Sequence, residues 1–254
     1  MKSFVMTGLV LAAAASSVDA ATLAYRETFS SADNNASIGN VGWTAYSTGT
    51  ALTPPNDNSC NLSSLTGRAF ADLTGNQNVN AGGDAALTTG FLFFGTAAGA
   101  PLLNYTTEYQ GLTTSSADSF SWYMGNSATT DSVRVAVQVA GNWYASNTAF
   151  STAGTTNGAG FAANAEPMSF NFTTAGSAWR QMTVNPGVEL SMLGTTLAGS
   201  LPADTTITGF GLYASDSRAA NIRIDTFSAM SVPEPVSMAV LGLSGLLLIR
   251  RRVA

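Results

Sequence analysis

Three observations predict that the middle of this chain is all-β and folds as a single β-sandwich. Along Ser132–Val139 apolar and polar residues alternate, so that Val133, Val135, Val137 and Val139 share one face. Comparable strand-like runs recur at Ala24–Phe29, Gly42–Tyr46, Arg68–Leu73, Ala86–Phe94, Ser119–Met124, Met168–Phe172, Ala178–Val184, Thr206–Ala214 and Ile222–Met230, separated by Gly/Asn/Ser/Thr loops. No segment with a helical period precedes residue 236.

Local signals fill in this outline. After Val139, Gly141-Asn142 predicts a hairpin turn leading into Trp143-Tyr144. Neighbouring strand residues point to opposite faces, so one of these two rings is expected in the core and the other outside. Segments 31–40, 50–64, 74–84, 95–101 and 151–166 read as loops that are long for a simple meander.

Both ends carry targeting signals. Lys2, the apolar stretch Val5–Ala15 and the small residues of Val18-Asp19-Ala20 read as a secretory signal peptide over residues 1–20, cleaved after Ala20 by signal peptidase. The body then runs from 21 to 230, long enough for a sizeable core, and a tail occupies 231–254. In that tail Pro233 and Pro235 keep Val232-Pro233-Glu234-Pro235 extended. Residues 236–249 follow as an uncharged apolar helix, about 21 Å long against the ~30 Å hydrocarbon core. Such a short membrane helix anchors weakly. Arg250, Arg251 and Arg252 form a basic stop on the cytoplasmic side, leaving everything before Val232 outside.

The order of Pro-Glu-Pro, short glycine-containing apolar helix and arginine cluster resembles the PEP-CTERM sorting domain of exported bacterial proteins. The resemblance implies recognition by an exosortase-like processing enzyme. Val232, Pro233, Glu234 and Pro235 would be the recognition residues and Arg250–Arg252 the stop. It further implies a precursor held in the inner membrane by its C-terminal helix, then delivery to the cell surface or extracellular matrix.

Composition narrows what the body does. Between the signals there are six arginines, no lysine and thirteen acids, a net charge of −7. Nucleic acid is therefore not an expected partner, because its phosphates need a basic surface. With charged residues at only 10% of the chain, solubility falls to Ser, Thr, Asn and Gly, a surface suited to hydrated extracellular polysaccharide. Cys60 is the only cysteine, so no internal disulfide forms. The chain has no histidine, which removes Ser-His-Asp and Cys-His catalysis and histidine zinc sites. Carboxylate-pair glycosidase chemistry and carboxylate-bound calcium stay open.

The body resembles jelly-roll modules of the carbohydrate-binding and concanavalin-like kind. The resemblance rests on an opening Arg26-Glu27-Thr28-Phe29 strand, the Val-rich strand followed by Trp143-Tyr144, Thr208-Gly209-Phe210-Gly211-Leu212-Tyr213, and a closing Ile222–Phe227 strand. First and last strands often adjoin in such folds, which makes Glu27 and Asp225 candidates for a structural calcium; otherwise they are ordinary strand residues. No Asp-x-Asp-x-Asp-Gly loop accompanies them. Trp143 and Tyr144 are the candidate glycan-stacking rings, against the alternative of core packing. No catalytic residue is assigned: the Glu-x-Asp-x-x-Glu strand of concanavalin-like hydrolases is absent. The expectation is a structural or adhesive, glycan-binding surface protein that is not an enzyme. Its alternative is a carboxylate-based glycosidase or lyase on the same scaffold.

Overall fold

The computed structural model describes residues 22–27, 29, 38–47, 50–51, 60–63, 91–96, 102–106, 112–113, 119–126, 132–152, 166–185, 189–202, 206–214 and 220–231. The signal peptide, the tail from Val232 to Ala254, Arg68–Leu73 and most of the 151–166 segment lie outside these residues. Residues Ala21–Val232 cluster as one compact unit.

Two antiparallel sheets account for the described strands. The first contains β1 (Thr22–Glu27), β4 (Cys60–Ser63), β5 (Phe91–Thr96), β8 (Ser119–Asn126), β11 (Glu166–Asn171) and β15 (Ala220–Ser231). Its order is β11-β8-β15-β5-β4, with β1 also on β15. The second contains β2 (Trp43–Ser47), β3 (Thr50–Ala51), β6 (Leu102–Thr106), β7 (Leu112–Thr113), β9 (Val133–Val139), β10 (Asn142–Ser146), β12 (Trp179–Asn185), β13 (Glu189–Met192) and β14 (Thr206–Ala214). Its order is β13-β12-β10-β9-β14-β6-β2-β3, with β7 on β14. One core cluster draws on both sheets, from Leu92, Phe120, Trp122, Ile224 and Phe227 on one side and Trp43, Val135, Val137, Phe210 and Leu212 on the other. The body is a β-sandwich, as its alternation predicts.

Phe227 is the centre of that core. Its ring lies 5.5 Å from Phe210, 5.5 Å from Trp43, 5.9 Å from Phe120 and 6.3 Å from Trp122. Trp43 is held in turn by Phe29 and by its Nε1, which donates to the Tyr25 hydroxyl at 2.8 Å. Burial pushes the Tyr25 phenol up to about 12; the bond from Trp43 opposes it and the Glu27 charge adds to it.

Strict alternation would throw Phe227 out of the core. Ile222 and Ile224 face inward, and a period of two would next turn Thr226 and Ser228 inward in place of Phe227 and Ala229. A β-bulge between Asp225 and Ser228 inserts one residue opposite β8 and restores the inward face for Phe227 and Ala229. Thr226 takes φ 48° there, a left-handed conformation unfavourable to a β-branched residue.

The β9–β10 hairpin turns one residue earlier than the sequence suggests. Val139 pairs with Asn142, so Ala140 (φ 50°) and Gly141 (φ 77°) are the turn and Asn142 begins β10. Both central residues of this turn need positive φ, and the Asn142 side chain bonds the Ala140 carbonyl from the strand. Further strand residues lie where the sequence predicts loops: β3 and β4 within 50–64, and Gly95 and Thr96 of β5 within 95–101. Phe29, placed at the end of the first strand by its sequence, instead lies beyond β1 with a left-handed backbone (φ 51°).

Candidate functional site

The last strand, β15, positions the candidate site. Along one edge it pairs with β8 from Ile222 to Met230, on both sides of the bulge; along the other it pairs first with β5 and then with β1. Its outward residues are nevertheless buried: Arg223, Asp225, Thr226 and Ser228 are each 6% exposed or less. A polar strip therefore runs down the outer face of the six-stranded sheet. Register carries it sideways, with Ser228 opposite Arg26 of β1 and opposite Ser121 of β8, and Ser121 opposite Ser169 of β11. One row along, Asp225 lies opposite Tyr123, and Tyr123 opposite Pro167.

A groove of about 340 Å³ opens between these rows, lined by Ser121, Tyr123, Pro167, Ser169 and Thr226 together with Trp122 and Met168, whose side chains belong to the core side. Ser121 and Ser169 form one row of it and the rings of Tyr123 and Pro167 the next. Thr226 Oγ1 donates to Asp225 Oδ1 at 3.0 Å. Beside the groove, Arg26 Nε and Nη2 and Ser228 Oγ are buried without a hydrogen-bond partner among the described residues. Burial raises the Asp225 carboxyl to about 7; bonds from the Thr226 side chain and backbone, and the Arg26 charge, pull the other way without offsetting it.

The sequence-derived candidates fall as follows. Strands β1 and β15 do adjoin, but Glu27 and Asp225 lie on opposite faces of the sheet. Glu27 is in register with inward-facing Phe227, and its Oε1 accepts from the Phe29 backbone N–H at 2.6 Å. Asp225 faces out, so the two carboxylates are not brought together around one ion. Among the described residues no group of three or more acidic or cysteine side chains could hold a metal. Trp143 and Tyr144 also separate by face. Tyr144 packs against the main core, whereas Trp143, 7% exposed, lies in a second cluster on the outer face of the nine-stranded sheet with Tyr46, Tyr213, Ala136, Ala145, Met182 and Leu190. Its indole lies across Gly209, where a Cβ would stand 3.0 Å from the ring.

For carboxylate-pair cleavage two acids must face each other about 5–10 Å apart. Glu27 is on the wrong face for Asp225, and Glu166 shares the inward parity of its partner Met124. Among the described residues Asp225 has no carboxylate opposite it on the groove's face. The groove residues Ser121, Ser169 and Thr226 escape sequence reasoning: isolated hydroxyl residues gain meaning only once β8, β11 and β15 are aligned.

No family model matches the chain, and no curated protein matches it. Among solved structures it is similar to the family 11 carbohydrate-binding module of the cellulosomal cellulase Lic26A-Cel5E of Clostridium thermocellum, at 9% identity over 85% of this chain and 96% of that one, with a TM-score of 0.41. It is also similar to the K2 cleaved adhesin domain of Lys-gingipain, at 13% identity over 81% and 96% of the two chains, with a TM-score of 0.40. A β-1,3-glucanase from Mycobacterium marinum is similar at 9% identity, over 82% and 98%, with a TM-score of 0.33.

Proposed function

We propose that this chain is an exported surface or matrix protein whose β-sandwich binds a glycan in the groove across β8, β11 and β15. The observation that carries the reading is the groove itself. Its volume, about 340 Å³, is at the scale of a small-ligand site. Tyr123 and Pro167 supply surfaces for the C–H faces of a sugar ring, and Ser121 and Ser169 supply hydroxyls for its oxygens. With one carboxyl and no facing partner among the described residues, the arrangement suits binding rather than cleavage.

The test is titration of the protein against a neutral glycan panel, with calcium and with chelator. Saturable binding unaffected by chelation is expected, because Glu27 and Asp225 face apart. Ser169→Trp, on an exposed position of β11, fills the groove without touching the core. It should weaken binding at least about tenfold, ~1.4 kcal/mol, with an unchanged thermal midpoint. Undiminished binding by this variant would remove the groove from consideration.

Delivery belongs to the same reading and is supported by the terminal sequences. The signal peptide directs export, and an exosortase-like enzyme acts at Val232–Pro235 while the short apolar helix holds the precursor in the membrane. Replacing Pro233, Glu234 and Pro235 with alanine should leave uncleaved precursor in the membrane fraction; unchanged processing on an immunoblot would end the sorting reading.

A further inference from the structure

Two of the body's few cations stand side by side on the other sheet, with no acid among the described residues to answer them. Arg134 of β9 and Arg180 of β12 lie on the outer face of the nine-stranded sheet, on either side of β10. Arg134 Nη1 donates to the Ser146 carbonyl at 2.8 Å and to the Asn147 carbonyl. Arg180 Nε donates to Asn147 Oδ1 at 2.9 Å, and its Nη1 to the Gly194 carbonyl at 2.7 Å. Asn147 thus steadies both guanidiniums, one through its backbone and one through its side chain.

Every one of those acceptors is neutral, so hydrogen bonding orients the two cations without offsetting their charge. Burial lowers the Arg134 pKa, the Arg180 charge lowers it further, and Tyr213 opposes both. What the bonds leave over is specific. Arg134 keeps Nε and Nη2, the side-on edge that grips a carboxylate with two parallel bonds, and Arg180 keeps Nη2. Both side chains are partly exposed.

We propose that Arg134 and Arg180 form a carboxylate site for an acidic polysaccharide, one built on uronic acid units. The polymer class rests on the glycan reading above, while the site lies on the opposite sheet and stands on different residues. In a body of net charge −7, two guanidiniums held together make a local positive pair that a carboxylate would answer. Tyr213, directly opposite Arg134 in register, and Trp143 on the same face belong to the buried outer cluster beside the pair.

The experiment uses the full-length protein in mild detergent, with oligogalacturonate and its methyl ester as probes and the neutral panel beside them. The acid form should bind roughly tenfold more tightly than the ester, and the preference should shrink as salt rises. Arg134→Gln/Arg180→Gln should lose that preference and keep neutral-glycan binding, whereas Ser169→Trp should do the reverse. Equal affinity of the wild type for acid and ester would overturn the site even if the double variant folded poorly. So would undiminished acid binding by a folded double variant. Neutral binding without acid preference would sink this proposal alone; loss of the groove variant's effect would sink the other.

Discussion

Phe227→Ala is expected to destabilise the sandwich by about 3–5 kcal/mol, the range for truncating a fully buried aromatic ring. The expectation follows from position as well as size. Phe227 is fully buried, and four large rings from both sheets converge on it. Those neighbours are themselves packed, so they cannot close over the cavity without leaving their own contacts. A domain of this kind is stable by about 5–15 kcal/mol, and the loss is a large share of it. Urea unfolding of wild type, Phe227→Ala and Phe227→Leu checks this, with the leucine variant losing markedly less. A shift equivalent to under about 1 kcal/mol for the alanine variant would mean the rings repack freely and the core is not organised around Phe227.

Phe227 also shows where sequence reading succeeds and where it stops. The β-character of Ile222–Met230 is plain in the sequence, and so is the four-valine face of β9, because alternation is a local property. The inward pattern 222, 224, 227, 229 even carries the trace of the bulge, since it breaks period two by one inserted residue. What cannot be read is which strands meet. Strand β15 pairs with β8, β5 and β1, partners far apart along the chain, and no local pattern encodes those pairings. The groove depends on them entirely: Ser121, Ser169 and Thr226 become neighbours only through two non-local registers. Short edge pieces such as β3, β7 and β13 escape for a related reason, as two to four residues give too little alternation to see. For Trp143 and Tyr144 the sequence correctly assigns opposite faces, but the burial of Trp143 comes from tertiary packing in a second, outer cluster. Glu27 and Asp225 show the same division. Resemblance foresees the adjacent strands, while the facing of each side chain is set by pairing register and the bulge.

Asp225→Asn should stabilise the protein at pH 8 and leave it unchanged at pH 4. The Asp225 carboxyl is raised from 3.8 to about 7 in the fold, principally by burial. The folded state therefore holds this proton more tightly than the unfolded chain does, and stability must fall as pH rises between the two values. Below about pH 4 both states carry the proton and the penalty is absent; above about pH 7 both are ionised and it is fully present, at most about 4 kcal/mol. Arg26 and the Thr226 bonds favour the ionised form, and the net upward shift means that desolvation outweighs them. Asparagine keeps an oxygen to accept from Thr226 and carries no charge to desolvate. The measurement is the thermal midpoint of both proteins from pH 4 to pH 8, read as their difference so that every other titrating acid cancels. That difference should open through pH 5–7 in favour of asparagine. Parallel curves would show that Asp225 ionises in the fold at no cost, and the strip beside the groove would then have to be wetter than its burial implies.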